Sequence, residues 1–246
     1  MNKQQKARIG IYGSVPKDSE VFNKIALILG YDPFQVKAVE QDKVIAPVCG
    51  RAKTFGVHFS IYDIFTPTDF EKLTERIRQI ILDIEPFSFT FSRFTGLTRG
   101  DYQGKSVYDN KSKTVLALDF DNESVKKFHQ IHKNIVTQIQ DLRERIEPEF
   151  DKEIFRNVPK LWQLIQKYGT PYAFENYHPH LTLLSSLDGS NATLEKFITY
   201  LNNNYGKEIL NIKIPFDRIY IFQEIIGGKF DGYFEVIDEI FLTKQL

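Results

Sequence analysis

The sequence predicts an α+β fold of two lobes built on antiparallel-rich β-sheets. Strand-like and helix-like segments follow the order strand, helix, strand, helix, strand, strand, and then helix, strand, helix and three strands. Each half also contains a strand that carries a histidine, one apolar residue and a hydroxyl residue, and a helix follows each of these strands. This repeat of elements, without a repeat of sequence, indicates two similar lobes.

Periodicity and capping residues predict the elements of the first half. A short buried strand at 8–13 precedes a helix that Asp18 or Ser19 can cap. A capping box of Thr68 and Glu71 predicts the start of a second helix. The remaining predictions for this half are strands at 55–62, 87–91 and 115–120, and a less regular stretch at 31–53.

The second half begins with a long amphipathic helix. Apolar residues recur at helical spacing over 122–145 and predict a helix across that range. Pro148 and Pro159 flank a shorter predicted helix at 160–168. The rest is predicted as a strand at 177–184, a helix at 193–201 and strands at 207–214, 218–225 and 233–242.

Composition is that of a folded protein of ordinary polarity, because 42% of the 246 residues are hydrophobic and 26% are charged. Lys plus Arg and Asp plus Glu both number 32, which argues against coating nucleic acid through a basic surface. The lone Cys49 excludes a disulfide framework and a cysteine-based zinc site. No apolar run approaches the roughly 18 residues of a membrane span, and no secretory segment opens the chain. We therefore expect a cytoplasmic protein.

Two matching tetrads carry the strongest chemical signal. His58-Phe59-Ser60-Ile61 lies in the first half, and His180-Leu181-Thr182-Leu183 lies in the second. Because side chains at i and i+2 of a strand share a face, each tetrad presents an imidazole beside a hydroxyl while its apolar residues face the core. One such tetrad is more often chance than chemistry. Two of them, both on predicted strands that precede helices, indicate a site.

A pair of imidazoles suits acid–base chemistry at a phosphate. Imidazole accepts a proton and imidazolium donates one, and both forms exist near pH 7. Two histidines facing one phosphate can therefore act as base and acid in an in-line displacement that needs no metal. Ser60 and Thr182 can donate hydrogen bonds to the non-bridging oxygens as charge develops there. The alternative is that each histidine is structural and hydrogen-bonded within its sheet.

The paired tetrads resemble the 2H phosphoesterases, a superfamily named for two H-x-[ST]-x motifs that includes the LigT-like RNA ligase/cyclic phosphodiesterases. The segment 177–183 contains the P-H-[LI]-T-L form of the second motif, and the segment 8–12 with Pro16 is similar to the family's opening strand. Segments 115–135 and 216–241 are similar to its central strand-to-helix passage and its closing strand pair. Ser60 stands where threonine is commoner in the family, and it keeps the hydroxyl.

The resemblance implies a single domain over 1–246, in which two sheets related by pseudo-two-fold symmetry enclose a central cleft. Helices would lie outside, and elements would be exchanged between the lobes. The resemblance is poorest near 31–53, 96–106 and 143–176, which we expect to be insertions. It implies cleavage of a cyclic or 2′-linked phosphodiester at a ribose by His58 and His180, leaves open which histidine is the acid, and implies no cofactor.

Four aromatic residues are candidates for contact with a nucleobase, because base–aromatic stacking is worth about 1–3 kcal/mol per base. In a chain this rich in aromatic residues, each is more often part of the core. The four are Tyr12, Tyr62, Tyr102 and Phe222.

Several polar residues have two interpretations. Arg51 and Lys53 precede the first motif, where they could attract an anion or belong to a solvated loop. The segment 96–105 matches no phosphate-binding loop, and we expect a hairpin tip or a lid that offers Arg99, Tyr102 or Lys105.

The other histidines are weaker candidates than the pair in the tetrads. His129 and His132 share a predicted helix face, where helix packing is favoured over a metal site because no third ligand stands out. His178 lies at a strand entrance, since Pro179 follows it, and we expect it at the rim of the site.

The sequence therefore predicts a metal-independent phosphodiesterase that acts on a nucleotide or an RNA end, with a 2′,3′-cyclic phosphate as the first choice. One alternative keeps the site but takes 2′,5′-linked oligoadenylate or another signalling nucleotide. A second is a module that binds an RNA end or nucleotide without turnover, and a third is a structural protein. No membrane partner is predicted.

Overall fold

The described chain mixes helices with antiparallel strands. The computed structural model describes residues 7–98, 101–102, 105–106, 114–188 and 190–243. Its helices are α1 (Glu20–Leu29), α2 (Ala46–Cys49), α3 (Ala52–Phe55), α4 (Phe70–Ile81), α5 (Asn122–Gln138), α6 (Glu153–Arg156), α7 (Pro159–Tyr168) and α8 (Asn191–Ile209). Within these ranges, no helix combines the length and the apolar character that crossing a membrane requires.

Most strands of the structure are short. They are β1 (Ile9–Gly13), β2 (Tyr31–Asp32), β3 (Lys37–Ala38), β4 (Phe59–Phe65), β5 (Phe87–Phe89), β6 (Phe91–Thr98), β7 (Asp101–Tyr102), β8 (Lys105–Ser106), β9 (Thr114–Phe120), β10 (His180–Leu184), β11 (Ile214–Phe216), β12 (Arg218–Glu224) and β13 (Phe234–Phe241).

Two antiparallel sheets form the framework. The larger sheet has the strand order β13-β12-β1-β4, and the smaller has the order β10-β9-β6. The pairs β11-β5, β2-β3 and β7-β8 are also antiparallel. The predicted α+β fold with antiparallel sheets is therefore confirmed. β4 and β10 are edge strands of their respective sheets, and they contact each other.

The larger sheet joins segments from both ends of the chain. β1 pairs with β12, so that Ile9 lies opposite Gln223, and it pairs with β4 along its other edge. The strand that follows the first histidine therefore borders β1, which in turn borders the C-terminal strands.

The apolar residues of both tetrads face the core, as predicted. Each has no exposed surface: Phe59, Ile61, Leu181 and Leu183. The ring of Phe59 packs edge-on against Phe128 and Phe120, with centroids 4.7 and 4.9 Å apart. Edge-to-face aromatic pairs stabilise a core beyond the effect of buried area alone. This packing fixes the strand beside the first histidine.

Strand β4 begins later than predicted and is irregular. Helix α3 ends at Phe55, so the chain from 55 to 58 is a helix end and a turn rather than a strand. The register against β1 shifts between the Tyr12–Ser60 and Ile11–Tyr62 pairs. A bulge of this kind breaks the alternation of side chains. His58 thus lies just before the strand, and Tyr62 does not follow it on one regular face.

Capping residues determine where helices α1 and α4 begin, and one of the predicted caps is wrong. Ser19 caps α1, and its hydroxyl accepts a hydrogen bond from the backbone N–H of Phe22. Helix α4 is capped by Asp69, so the predicted capping box of Thr68 and Glu71 is wrong. The backbone N–H of Thr68 instead donates to the carbonyl oxygen of Leu142 at 2.8 Å, which holds Thr68 outside the helix.

Helix α5 ends at Gln138, seven residues before the predicted end at 145. A 3₁₀ turn over Gln140–Leu142 follows it. The chain then pairs with the segment after β4, because the backbone N–H of Glu144 donates to the carbonyl oxygen of Thr66 at 2.8 Å. Ile139 and Leu142 stay buried, which explains why the apolar pattern continues beyond the helix.

Helix α8 continues through a stretch that composition alone disfavours. The predicted strand at 207–214 is wrong, because α8 ends at Ile209 and β11 begins at Ile214. The buried side chains of Leu201 and Ile209 anchor the helix on both sides of its Asn-rich turns. Tertiary burial here outweighs the low helix propensity of Asn and Gly.

Candidate active site

Both tetrads open into one cavity of about 630 Å³. His58, Ser60, His180 and Thr182 all line it. This juxtaposition follows from the contact between the edge strands β4 and β10. The two rings are near enough for the charge of His180 to disfavour protonation of His58. The structure therefore brings the four residues of the two motifs to a single space.

The two histidines are held in the same way. Nδ1 of His58 lies 3.0 Å from the carbonyl oxygen of Gly56, and Nδ1 of His180 lies 2.7 Å from the carbonyl oxygen of His178. A carbonyl oxygen only accepts hydrogen bonds, so Nδ1 carries the proton in each ring. In the neutral imidazole the lone pair is then on Nε2. In both cases, the carbonyl of the residue two positions before the histidine thus fixes the tautomer of its ring.

Aromatic rings surround His58. The imidazole stacks on Phe55 at a centroid distance of 5.0 Å and lies 4.6 Å from Tyr12 and 6.1 Å from Phe222. Burial lowers the pKa of His58 to about 4, and the opposing effect of the hydrogen bond to Gly56 is smaller. Desolvation destabilises the charged form of a base. His58 is therefore neutral at pH 7, with an unprotonated Nε2.

His180 has polar surroundings. Its ring lies 6.0 Å from the ring of His178 in a stacked arrangement. Nε2 of His178 is 3.2 Å from Oδ1 of Asp119, and Arg93 donates to Oδ2 of the same carboxylate at 3.1 and 2.8 Å. Burial raises the pKa of Asp119, but the hydrogen bonds from His178 and Arg93 outweigh it and lower the pKa overall. Asp119 is also the cross-strand partner of His180.

His132 is bonded to backbone on both sides of its ring. Nδ1 donates to the carbonyl oxygen of Ile61 at 2.7 Å, and Nε2 accepts from the backbone N–H of Phe174 at 3.2 Å. The ring stacks on Tyr177 at 3.9 Å, and the Tyr177 hydroxyl donates to the carbonyl oxygen of Ser60 at 2.8 Å. Burial lowers the pKa of His132 to about 4, which keeps the ring neutral. This network holds the backbone of the first tetrad in position.

Acidic residues also line the cavity. Asp63 and Glu149 are among its lining residues, and so is Arg51. The hydroxyl of Thr170 donates to Oδ2 of Asp63, and Arg8 donates to Glu149 at 2.8 Å. Burial raises the pKa of Asp63 to about 6, and the charge of Glu149 adds to the increase. The bulge in β4 explains why Asp63 reaches the cavity although it lies an odd number of positions from Ser60.

Three of the four aromatic candidates have described side chains. Tyr12 and Phe222 are 1% and 0% exposed and pack against His58, which leaves neither ring a face for a nucleobase. Tyr62 lines the cavity, but it is buried and its hydroxyl donates to the carbonyl oxygen of Tyr168. The side chain of Tyr102 lies outside the part of the chain that the structure describes.

Other candidates are only partly accounted for. Arg51 lines the cavity, whereas Lys53 is not among the described residues that do. Arg99 and the side chain of Lys105 lie outside the described part of the chain, so the lid stays a prediction. In the described ranges, no group of three or more metal-binding side chains includes His129 or His132. His178 lines the cavity beside His180, as expected for a residue at the rim.

Sequence reasoning missed the residues around the histidines. The sequence predicts Phe55 and Asp119 within strands and Glu149 within an insertion. Only Asp119 has a signal in the sequence, since it is a carboxylate in an otherwise apolar strand and needs a partner if that strand is buried. The partners come from other elements, and the sequence alone does not pair those elements.

The chain matches known proteins at the level of a family. Residues 49–223 match the model of the 2′-5′ RNA ligase superfamily, and this range contains both tetrads. A search of curated proteins found no match.

Among solved structures, the chain is similar to E. coli LigT complexed with 3′-AMP, at 10% identity and a TM-score of 0.48, over 98% of this chain and 100% of that one. It is also similar to Kluyveromyces marxianus Usb1, at 11% identity and a TM-score of 0.42, over 96% of this chain and 99% of that one. Because these identities and scores are low, the assignment depends on the family match. The chain belongs to the 2′-5′ RNA ligase superfamily, which confirms its resemblance to the 2H phosphoesterases.

Proposed function

We propose that this chain is a phosphodiesterase that hydrolyses the 2′,3′-cyclic phosphate of a nucleotide or an RNA end, with His58 as general base and His180 as general acid. The observation that carries the proposal is the matched anchoring of both rings. Each Nδ1 bonds a carbonyl two residues earlier, and both histidines line one cavity with a hydroxyl residue beside each. A histidine held only for structure would have no reason to repeat this arrangement across a shared cavity.

The surroundings of the rings support this division of roles. His58 lies among aromatic rings, and its lowered pKa keeps it neutral. In hydrolysis, Nε2 of His58 takes a proton from water while the water oxygen bonds to phosphorus. One ester bond of the cyclic phosphate breaks, and His180, protonated at Nε2, gives its proton to the departing ribose oxygen. The product is a phosphomonoester, and the proton returns from His58 to His180 through solvent.

The hydroxyls of Ser60 and Thr182 serve the phosphate itself. Both residues are half-buried and line the cavity. Hydrogen bonds to the non-bridging oxygens stabilise the charge that grows on them in the transition state. Arg51 also lines the cavity and adds a positive charge that attracts the anion. No step in this scheme uses a metal.

The nucleoside would lie against the acidic residues of the cavity. Asp63 and Glu149 can accept hydrogen bonds, and Tyr172 and Asn176 also line the cavity. Ribose hydroxyls and the amino groups of a base supply the matching donors. A nucleotide bound with its phosphate at the histidines would therefore direct its neutral, donor-rich part towards the carboxylates.

The test measures hydrolysis of nucleoside 2′,3′-cyclic phosphates by His58→Ala and His180→Ala in excess chelator. Each substitution removes a positioned proton transfer, so we expect kcat to fall by roughly 10²- to 10⁴-fold. His129→Ala is the matched control, because this histidine is not among the described residues that line the cavity. Full activity of either alanine variant, or a wild-type enzyme that stops in chelator, would contradict the mechanism.

The same assay separates the alternatives. Turnover of 2′,5′-linked oligoadenylate, with none of the cyclic phosphates, would reassign the substrate and keep the histidine pair. Tight binding of nucleotides with no product from any of them would identify a binding module. We favour turnover because both hydroxyls and both histidines are present, and a binding module would need no base with a lowered pKa.

A further inference from the structure

The carbonyl oxygen that accepts the hydrogen bond from His180 belongs to His178, and the ring of His178 is itself held by a carboxylate. His178 precedes β10 in a segment without regular structure, and its carbonyl oxygen accepts from Nδ1 of His180 at 2.7 Å. The ring of His178 lies 3.2 Å from Oδ1 of Asp119. Asp119 itself is on β9, directly opposite His180. Both the side chain and the backbone carbonyl of His178 are therefore held by contacts.

Arg93 completes the anchor. It lies on β6, opposite Asp119, and donates two hydrogen bonds to Oδ2 at 3.1 and 2.8 Å. The side chain of Asp119 is only 7% exposed, whereas that of Arg93 is 68% exposed. A buried carboxylate needs charge-assisted partners, and here both of its oxygens have one. Three adjacent strands therefore contribute to one chain of contacts that ends at His180.

The first histidine lacks such a chain. Its carbonyl partner is Gly56, which follows helix α3 and adopts a φ of +65°. A β-carbon at position 56 would lie 2.5 Å from Cδ of Pro33, so close packing fixes this turn. The two otherwise matched histidines thus differ in what holds their carbonyls: packed backbone for His58, and a charged side-chain network for His180.

We propose that Asp119, held by Arg93, is a positioning residue that orients His180 through the ring and the peptide carbonyl of His178. This inference rests on the proposed function of His180 as a proton donor. When the network is intact, the His178 carbonyl keeps the proton on Nδ1 and aims Nε2 at the cavity. When the network is broken, the segment at 177–179 loses the contact between the His178 ring and Asp119 on β9. The ring of His180 then samples other orientations.

The test compares Asp119→Ala, His178→Ala and the double variant. We expect each single change to lower kcat by about 10- to 100-fold, a part of what general acid catalysis supplies, with KM nearly unchanged. The double variant should lose little more than either single one, because both act through the same contact. Asp119→Asn, which keeps an accepting oxygen for Arg93, should retain more activity than Asp119→Ala.

Two further measurements separate a loss of His180 orientation from a general effect on folding and do not require turnover. At alkaline pH, where both imidazoles are neutral, ¹⁵N NMR of the histidine rings should show that His180 loses its single Nδ1–H tautomer in Asp119→Ala, while His58 keeps its own. Asp217→Ala breaks an aspartate–arginine pair at 2.8 Å, neither member of which is among the described residues that line the cavity, so it should change neither readout. An unchanged His180 tautomer or additive losses in the double variant would overturn the proposal. Absence of turnover in the wild type would reject only the proposed function, since the NMR readout does not require catalysis.

Discussion

At the scale of single residues, the two catalytic candidates are distinguished by what surrounds them. Both rings have the same tautomer and the same kind of backbone partner. His58 nevertheless packs among aromatic rings, whereas His180 lies beside His178, which is linked to a carboxylate. A low-dielectric environment disfavours the imidazolium and so favours the role of base.

Phe55→Ala tests this origin of the lowered pKa. The phenyl ring stacks on His58 and on Phe234 and is itself half-buried, so its removal admits water to the imidazole. A base works when it is unprotonated, so kcat/KM of the wild type should fall only as the pH approaches about 4. In the variant, the pKa of His58 should rise towards its ordinary value of about 6.5. The acidic limb of the pH–rate profile should move up with it.

The control for this prediction is Phe70→Ala, which removes a phenyl ring that is 37% exposed and does not line the cavity. Its acidic limb should coincide with that of the wild type. An unshifted limb in Phe55→Ala would mean that the stacked ring does not control the pKa of His58.

At the scale of elements, His132 joins α5 to β4 and to the turn at Phe174. Its Nε2 must stay unprotonated to accept the Phe174 N–H. The pKa of His132 is about 4 in the folded state and about 6.5 in an unfolded chain, so the unfolded state binds more protons between these values. This contribution to stability is complete above pH 6.5 and is lost as the pH falls to about 4.

His132→Gln should therefore flatten the acidic part of the stability curve. The glutamine amide can donate and accept without titrating. We expect the free energy of unfolding of the wild type to fall by up to about 3 kcal/mol more than that of the variant between pH 6.5 and 4. Urea unfolding at both pH values measures this difference. His58 and Asp63 titrate in the same range, but they do so in both proteins, and equal pH dependence would exclude the role of His132.

The elements also show how far the sequence predicts this structure. Strands with apolar cores, such as β9 and β12, lie within a residue of their predicted bounds, because local composition decides them. The errors lie where a distant partner decides the outcome. Leu142 holds Thr68 outside α4, and buried Leu201 and Ile209 carry α8 through an Asn-rich stretch. Neither contact can be predicted from the residues that lie nearby in the sequence.

The candidate site likewise contains residues that the sequence predicts and residues that it does not. The tetrads predict His58, Ser60, His180 and Thr182, since each lies beside its apolar neighbours in one short strand segment. Asp63 reaches the cavity through a bulge, and Glu149 reaches it from an irregular segment. Their positions depend on strand register and on loop path, which periodicity does not encode.

At the scale of the whole molecule, the cavity carries charges of both signs. Arg51 lines it, and so do Asp63 and Glu149. The proposed function places the phosphate of a ligand at the two histidines. A ligand that also carries a 5′-phosphate would bring negative charge towards the carboxylates, which repel it.

We therefore expect a higher KM for a nucleoside 2′,3′-cyclic phosphate that bears a 5′-phosphate than for the same compound without it. Glu149→Gln should reduce this ratio several-fold, and added salt should reduce it in the wild type through screening. Glu175→Gln is the matched control, because it removes the same charge from an exposed residue outside the cavity lining. Equal KM values for the two substrates in the wild type would show that the carboxylates of the cavity do not select against charge.

The position of β1 between β4 and β12 has a consequence for how the protein is made. During translation, His58 and its hydroxyl neighbour leave the ribosome long before Arg218, the first residue of β12, is synthesised. Until then, β1 has only one partner strand, and the aromatic wall behind His58 lacks Phe222. A nascent chain that stops before β12 therefore carries both histidines but lacks the β12 side of the pocket around His58.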